Sequence, residues 1–278
     1  MKLKTLFILG TSIIFFIACG KPGEQKISPK GHTTDELKLT GDKTVYGLAC
    51  DGCTDSVILL LPNDGSDPVK YDIIDAFHNH KVIGHPKIGD WVGLVLNKSN
   101  KKVADMVIDL DELKATWCYV VMPKMRPRDG MGRNAQNRMM AHMPDSIKAT
   151  LMVPREYGFT LKRQWTAKAV GRIRQQNTLE NESPVVYPSL KNYFAWHILN
   201  GKLVLTYGKR KLDKDNNIYY VNQKNDTAEF IFMMKDSLQL KFRDKIISYY
   251  RKANENDVNK TAQKIAAQSA KRAIEEIK

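Results

Sequence analysis

Tyr193-Phe194-Ala195-Trp196-His197-Ile198-Leu199-Asn200-Gly201-Lys202-Leu203-Val204-Leu205-Thr206-Tyr207 is the stretch that decides the fold. Two runs rich in aromatic, aliphatic and β-branched residues flank an Asn-Gly pair, and such runs favour extended backbone. A two-residue hairpin turn needs the left-handed backbone region twice, and Asn and Gly enter it at low cost. Asn-Gly between alternating apolar runs is therefore the strongest short-range sign of a β-hairpin. The pattern repeats outward from there. Thr116–Met122 sets Trp117, Tyr119 and Val121 against Cys118, Val120 and Met122, and Tyr157–Leu161 and Val185–Tyr187 precede the hairpin. Ile218–Val221, Ala228–Met234, Ser237–Phe242 and Ile246–Tyr250 follow it. With Tyr193–Leu199 and Leu203–Tyr207 this makes roughly eight or nine strands, enough to close an antiparallel barrel around side chains or one small ligand.

Upstream, Leu37–Leu48, Ser56–Leu61, Val69–Phe77, Trp91–Leu96 and Val103–Leu110 read as five shorter strands. Pro62-Asn63-Asp64-Gly65, the Gly84 to Gly89 segment and Asn97 to Asn100 break them. Five strands in about 75 residues suit a small closed barrel of OB or SH3-like type. The chain is thus expected to be all-β, with a small OB-like barrel over residues 36–113 and a larger antiparallel barrel over 114–252. Two pieces depart from this pattern. Residues 126–154 form a Met- and Arg-rich insertion with one or two short helices around Pro144. In the C-terminal piece, residues 253–278, Asn254–Lys278 is rich in Ala, Lys, Gln and Glu and reads as a peripheral helix.

The N-terminus carries an address. Lys2 and Lys4 precede an apolar run from Leu6 to Ile17, which is too short to span a bilayer stably and reads as a signal peptide over residues 1–18. Phe16-Ile17-Ala18-Cys19 resembles the lipobox of bacterial lipoproteins. That resemblance implies that Cys19 becomes the lipid-modified first residue of the mature chain, with residues 19–35 as a lipidated tether; two or more acyl chains anchor stably where one does not. The expected location is the envelope of a Gram-negative-type bacterium, on the outer membrane. Gly20 to Glu24 hold one acid, whereas surface-export tethers resemble acidic runs, so the periplasmic face is expected.

Net charge is +14, or +12 once the two signal lysines are removed. Between Val121 and Gln175, twelve Lys and Arg stand against three acids. Such a block in the envelope faces anionic lipid headgroups, lipopolysaccharide phosphates, acidic glycans or a protein partner. The plainer reading is a solvated face that aids solubility. Export removes nucleic acid as a partner.

Val45-Tyr46-Gly47-Leu48-Ala49-Cys50-Asp51-Gly52-Cys53 resembles the opening of NlpE-like envelope lipoproteins, with Ala49 where that pattern has Pro. Leu113-Lys114-Ala115-Thr116-Trp117, the Trp196 to Leu203 stretch and Tyr249-Tyr250-Arg251-Lys252 resemble the lipocalin-like domains of surface lipoproteins. The order of the two units is the reverse of the NlpE-like one. The resemblance implies a lipid-anchored binding or sensing protein and carries no catalytic signature.

Cys50 and Cys53 are the sharpest local feature. A reactive C-x-x-C wants a helix N-terminus after a βαβ pattern, and this context is strand-turn-strand. A structural or redox-reporting disulfide is expected, which leaves Cys118 over. His78, His80 and His85 could join that pair around zinc, although their spacing exceeds that of zinc fingers. Met139, Met140, His142 and Met143, with Met122, Met125, Met131 and Met152 nearby, offer thioether and imidazole ligands that suit Cu(I). Here the NlpE-like resemblance implies copper tolerance. The alternative is that these methionines fill gaps against the barrel. No G-x-S-x-G elbow, G-x-x-x-x-G-K-[ST] loop or G-x-G-x-x-G occurs. The chain therefore reads as a non-catalytic protein without a cofactor that binds a small ligand or reports envelope redox state. The alternative is a structural or interaction lipoprotein that docks through its basic insertion and C-terminal helix.

Overall fold

The computed structural model describes residues 39–126, 130, 132, 134–135, 138, 141–171, 183–243, 245–253 and 260–275. The expected signal peptide, Cys19 and the 19–35 tether lie outside these residues, as do Met139 and Met140. No helix among the described residues is long and apolar enough to cross a membrane.

The first sheet starts as a meander of β1 (Val45–Ala49), β2 (Val57–Pro62) and β3 (Val69–Asp72). On the other side of β1 lies β5 (Trp91–Leu96), and beyond it β6 (Ala104–Asp109). Short β4 (Val82–Ile83) adds in parallel to β6, giving the order β3-β2-β1-β5-β6-β4. Asp72 pairs with Val103 in a parallel bridge, and its N–H donates to the Lys102 carbonyl at 2.8 Å. The sheet thereby curls until β3 meets the approach to β6. Ile58, Leu60, Val92, Leu94 and Val107 fill the inside of that curl, each at most 1% exposed.

The second sheet has eight strands: β7 (Thr116–Val121), β9 (Arg155–Leu161), β10 (Ala167–Val170), β12 (Tyr193–Leu199), β13 (Lys202–Leu212), β14 (Ile218–Met234), β15 (Ser237–Phe242) and β16 (Lys245–Lys252). Every pairing in it is antiparallel, in the order β10-β9-β7-β16-β15-β14-β13-β12. β10 and β12 meet through a Thr166–Ala195 bridge and a 2.8 Å bond from Trp196 N–H to the Trp165 carbonyl. The result is a nearly closed up-and-down barrel. Asn200 (φ 49°) and Gly201 (φ 82°) both take left-handed backbone at the β12–β13 turn, as the Asn-Gly pair requires. Trp117, Phe159, Trp196, Leu205 and Leu240 pack the interior and are almost fully buried.

The two sheets share a core. Helix α2 (Leu110–Leu113) runs from the end of β6 almost directly into β7, and Leu110 and Leu113 are wholly buried in the barrel's core cluster. The Trp117 indole N–H donates to the Leu113 carbonyl at 2.9 Å. Tyr46 and Trp91 from the first sheet meet Trp165 and Trp196 from the barrel, with Trp91–Trp165 and Trp165–Trp196 ring centroids both 4.8 Å apart.

Several expected elements are corrected. Val69–Phe77 is not one strand: β3 stops at Asp72, whose carboxylate accepts from the Ile74 N–H, and α1 (Ile74–His78) follows. Val185–Tyr187 does not join the barrel. Instead β11 (Val185–Val186) pairs with β8 (Lys124–Met125) in a separate two-stranded sheet. Ile218–Val221 and Ala228–Met234 are one continuous strand. The insertion holds α3 (Asp145–Leu151), which starts just after Pro144, and α4 (Lys260–Glu275) packs against α3 and β7.

Candidate functional site

A cleft of about 630 Å³ opens between the first sheet and the β14–β15 hairpin of the barrel. Its size is that of pockets which hold small organic ligands. Ile58, Ile73, Ile83, Val107 and Met233 form a buried apolar floor. The rim is also apolar but open: Phe77 and Phe232 face it from opposite walls and are 43% and 40% exposed. Exposed large apolar groups gathered around one depression mark a recognition surface more often than a solvated one. His78, His80 and His85 and the Cys53 thiol supply polar groups along the first-sheet wall.

Local chemistry fixes the wall that carries His85. Gly84 has φ 86°, and a Cβ there would lie 2.8 Å from Asp109 Cβ and 2.9 Å from Met233 Cε, so only glycine lets the barrel hairpin approach. Next to it, the His85 N–H donates to Glu112 Oε2 at 2.8 Å. Asp109 caps α2 by accepting from the Glu112 N–H at 2.8 Å. Burial raises the Asp109 carboxyl to about 6, against the pull of that hydrogen bond, with the Asp90, Glu112 and Asp111 carboxylates adding to the rise. His80 is a non-glycine residue at φ 54°, in the turn after α1.

Cys50 and Cys53 are two free thiols, not the expected disulfide. The Cys53 sulfur lies 3.1 Å from the Cys50 carbonyl and accepts from the Leu59 N–H at 3.4 Å, which seats it on the first-sheet core. Only Cys53 of the pair lines the cleft. Cys118 lies far from both in the chain, buried beside Tyr250, and burial pushes its thiol up to about 12.

Of the four expected copper ligands, His142 and Met143 are among the described residues and Met139 and Met140 are not. Among the described residues no three of His, Cys, Asp and Glu are grouped to hold a metal ion, so the cysteine pair and His78, His80 and His85 do not assemble a zinc tetrahedron. Met143 packs with Met122, Met125, Met152, Leu151 and Val185 in a small apolar cluster, while His142 is exposed. Thioethers packed this way fill the gap between the insertion and the barrel.

Tyr193 donates to Asp226 Oδ2 at 3.0 Å, and Lys191 pairs with the same carboxylate at 2.5 Å. Tyr119 and Tyr249 stack edge-to-face at 5.3 Å. Burial, reinforced by the Asp226 charge, drives the Tyr193 hydroxyl far above the ordinary phenol range.

The cleft itself escaped sequence reasoning. Its signal was present in Phe230-Ile231-Phe232-Met233-Met234, a run apolar on both faces in a strand expected to bury only one.

No protein-family model matches the chain, and no curated protein matches it. A solved structure of a lipocalin-like protein from Bacteroides thetaiotaomicron is similar at 14% identity, covering 50% of this chain and 96% of that one, with a TM-score of 0.24. At that TM-score, the architecture described above rests on this chain's own strand pairing.

Proposed function

We propose that this chain is a non-catalytic, lipid-anchored envelope protein that takes a small apolar or amphipathic ligand in the cleft between its first sheet and the β14–β15 hairpin. One observation carries the reading: an apolar floor lies open between the first sheet and the end of β14, while Trp117, Phe159, Trp196, Leu205 and Leu240 pack against one another in the barrel's core. The polar groups on one wall suit a ligand with an apolar body and a single polar head. The lipobox-like Cys19 and the outer-membrane, periplasm-facing location belong to this proposal and rest on the N-terminal sequence.

Redox reporting enters through Cys53, because it lines the cleft. Oxidation of Cys50 and Cys53 to a disulfide would pass two electrons and two protons to an envelope thiol–disulfide oxidant and draw the Cys53 sulfur towards Cys50. The cleft wall would change shape with the redox state.

The rival reading is an interaction lipoprotein that docks an anionic polymer, lipid or protein through residues 126–154 and the C-terminal helix. The filled barrel favours it. Native mass spectrometry of the chain purified under oxidising conditions, with and without reductant, separates the readings. A retained small molecule supports the cleft proposal, and a bare protein that also fails to take up long-chain fatty acids supports the rival.

A further inference from the structure

The β13–β14 hairpin runs well past the barrel that contains it. β12 pairs with β13 only as far as Tyr193–Tyr207, and β15 meets β14 only from Ala228 onward. Beyond those points Lys209–Val221, Arg210–Tyr220, Lys211–Tyr219 and Leu212–Ile218 pair as an isolated two-stranded ribbon. Residues 209–219 are exposed without a break. At ~3.3 Å per residue the ribbon and its turn project roughly 15–20 Å. Its base is braced, because Tyr220 stacks on Phe194 with centroids 4.1 Å apart and an interplanar angle of 13°. Gly208 lets the strands close at this point, since a Cβ there would sit 3.0 Å from the Val221 carbonyl oxygen.

The ribbon carries exposed apolar groups. Leu212, Ile218 and Tyr219 are 56%, 51% and 41% exposed. Cations stand among them: residues 209–224 hold five Lys and Arg against two Asp. Side-chain alternation puts Leu212, Ile218, Arg210 and Tyr220 on one face and Lys211, Tyr219, Lys209 and Val221 on the other. Both faces therefore mix aliphatic, tyrosyl and cationic groups.

We propose that this ribbon is a membrane-surface finger that lies along an anionic lipid bilayer. A groove on a protein partner rewards one apolar face, whereas a lipid interface surrounds the ribbon and accepts both. A second copy of the chain would bring a net charge of +3 against an equal charge. Tyrosine at headgroup depth, aliphatic side chains just beneath and Lys or Arg stems reaching back to phosphate are what an anionic interface selects. The Asp213 carboxylate is occupied within the polar turn, accepting from the N–H groups of Asp215 and Asn217 at 2.9 and 2.7 Å. The finger is independent of the cleft, which lies at the other end of the same β14.

The test uses His32–Lys278, the compact unit that contains both cores described above. Cosedimentation is measured with phosphatidylglycerol-containing and pure phosphatidylcholine vesicles, with circular dichroism to confirm folding of each variant. The unit should partition onto the anionic vesicles only. Lys209→Gln/Arg210→Gln/Lys211→Gln should weaken that partition by about 100-fold, and Leu212→Ser/Ile218→Ser by about tenfold. Lys70→Gln/Lys87→Gln/Lys98→Gln, three exposed sites in the first-sheet region, should change it little. Absence of vesicle binding, an equal loss in this control, or unchanged binding in folded ribbon variants would each overturn the proposal.

Discussion

Asp42 and Asn200 tie the start of the first sheet to the tip of the barrel's decisive hairpin: Asp42 Oδ1 accepts from the Asn200 N–H at 2.9 Å. Asn200 returns the contact, its Oδ1 accepting from the Lys43 N–H at 2.8 Å. The residue that shapes the turn also docks one sheet on the other. Asn200→Gly keeps the left-handed turn and loses only the side-chain bonds, at about 1 kcal/mol. Asn200→Ala loses the bonds and also forces left-handed backbone on alanine, for a total of about 2–3 kcal/mol. Thermal melts should rank the parent above Asn200→Gly and Asn200→Gly above Asn200→Ala, and a glycine variant that melts with the parent would contradict the docking role.

Trp165 sits at the centre of the shared aromatic core, 4.8 Å from both Trp91 and Trp196. A double-mutant cycle with Trp91→Ala and Trp165→Ala, read by urea unfolding, should return a coupling of about 0.5–1.5 kcal/mol beyond the separate losses. Additive losses would mean that the two sheets are held by other contacts.

His197 gives the fold an acid-sensitive joint. Its ring lies 5.2 Å from that of Trp165, and its Nδ1 is buried with no hydrogen-bond partner among the described residues. Burial lowers its pKa to about 4, and the Asp42 charge opposes this only in part. The folded chain holds the ring neutral where the unfolded chain protonates it near pH 6.5, so stability falls as pH drops from about 6.5 to about 4. The loss is on the order of 3 kcal/mol. His197→Gln should flatten that limb of the stability–pH curve.

Asp109 has the opposite sign. Its folded pKa of about 6 lies above the unfolded value, so the folded state is favoured when the carboxyl is protonated, and this contribution drains away as pH rises from about 4 to about 6. Asn caps a helix as well as Asp does and carries no charge. Asp109→Asn should therefore stabilise the chain by about 1–3 kcal/mol at pH 7 and by little at pH 4, as denaturant midpoints would record. An equal effect at both values would show that the carboxyl does not titrate in this range.

The barrel was legible because its evidence is local. Asn200-Gly201 fixes a turn by backbone preference alone, and Ser237–Phe242 alternates as a half-buried strand does. Val69–Phe77 misled because Tyr71, Ile73 and Phe77 are compatible with both periods, and the break depends on an Asp72 side-chain bond to backbone. Val185–Tyr187 has strand composition, but its partner Lys124–Met125 is set by where the insertion folds back. The cleft needs residues about 150 positions apart, Phe77 and Phe232, to meet across two sheets. No local pattern encodes that meeting, although the apolar run at Phe230–Met234 marked one of its walls.

The most direct test of the account is a fluorescence titration of His32–Lys278 with N-phenyl-1-naphthylamine, a small probe that brightens on leaving water. It is compared with Phe77→Ser/Phe232→Ser, which strips both rims of the cleft at partly exposed sites and leaves the barrel interior untouched. The parent chain should bind the probe saturably, and the folded double variant at least tenfold more weakly. Undiminished binding in that variant, or none in the parent, would contradict the claim that the cleft is the binding site.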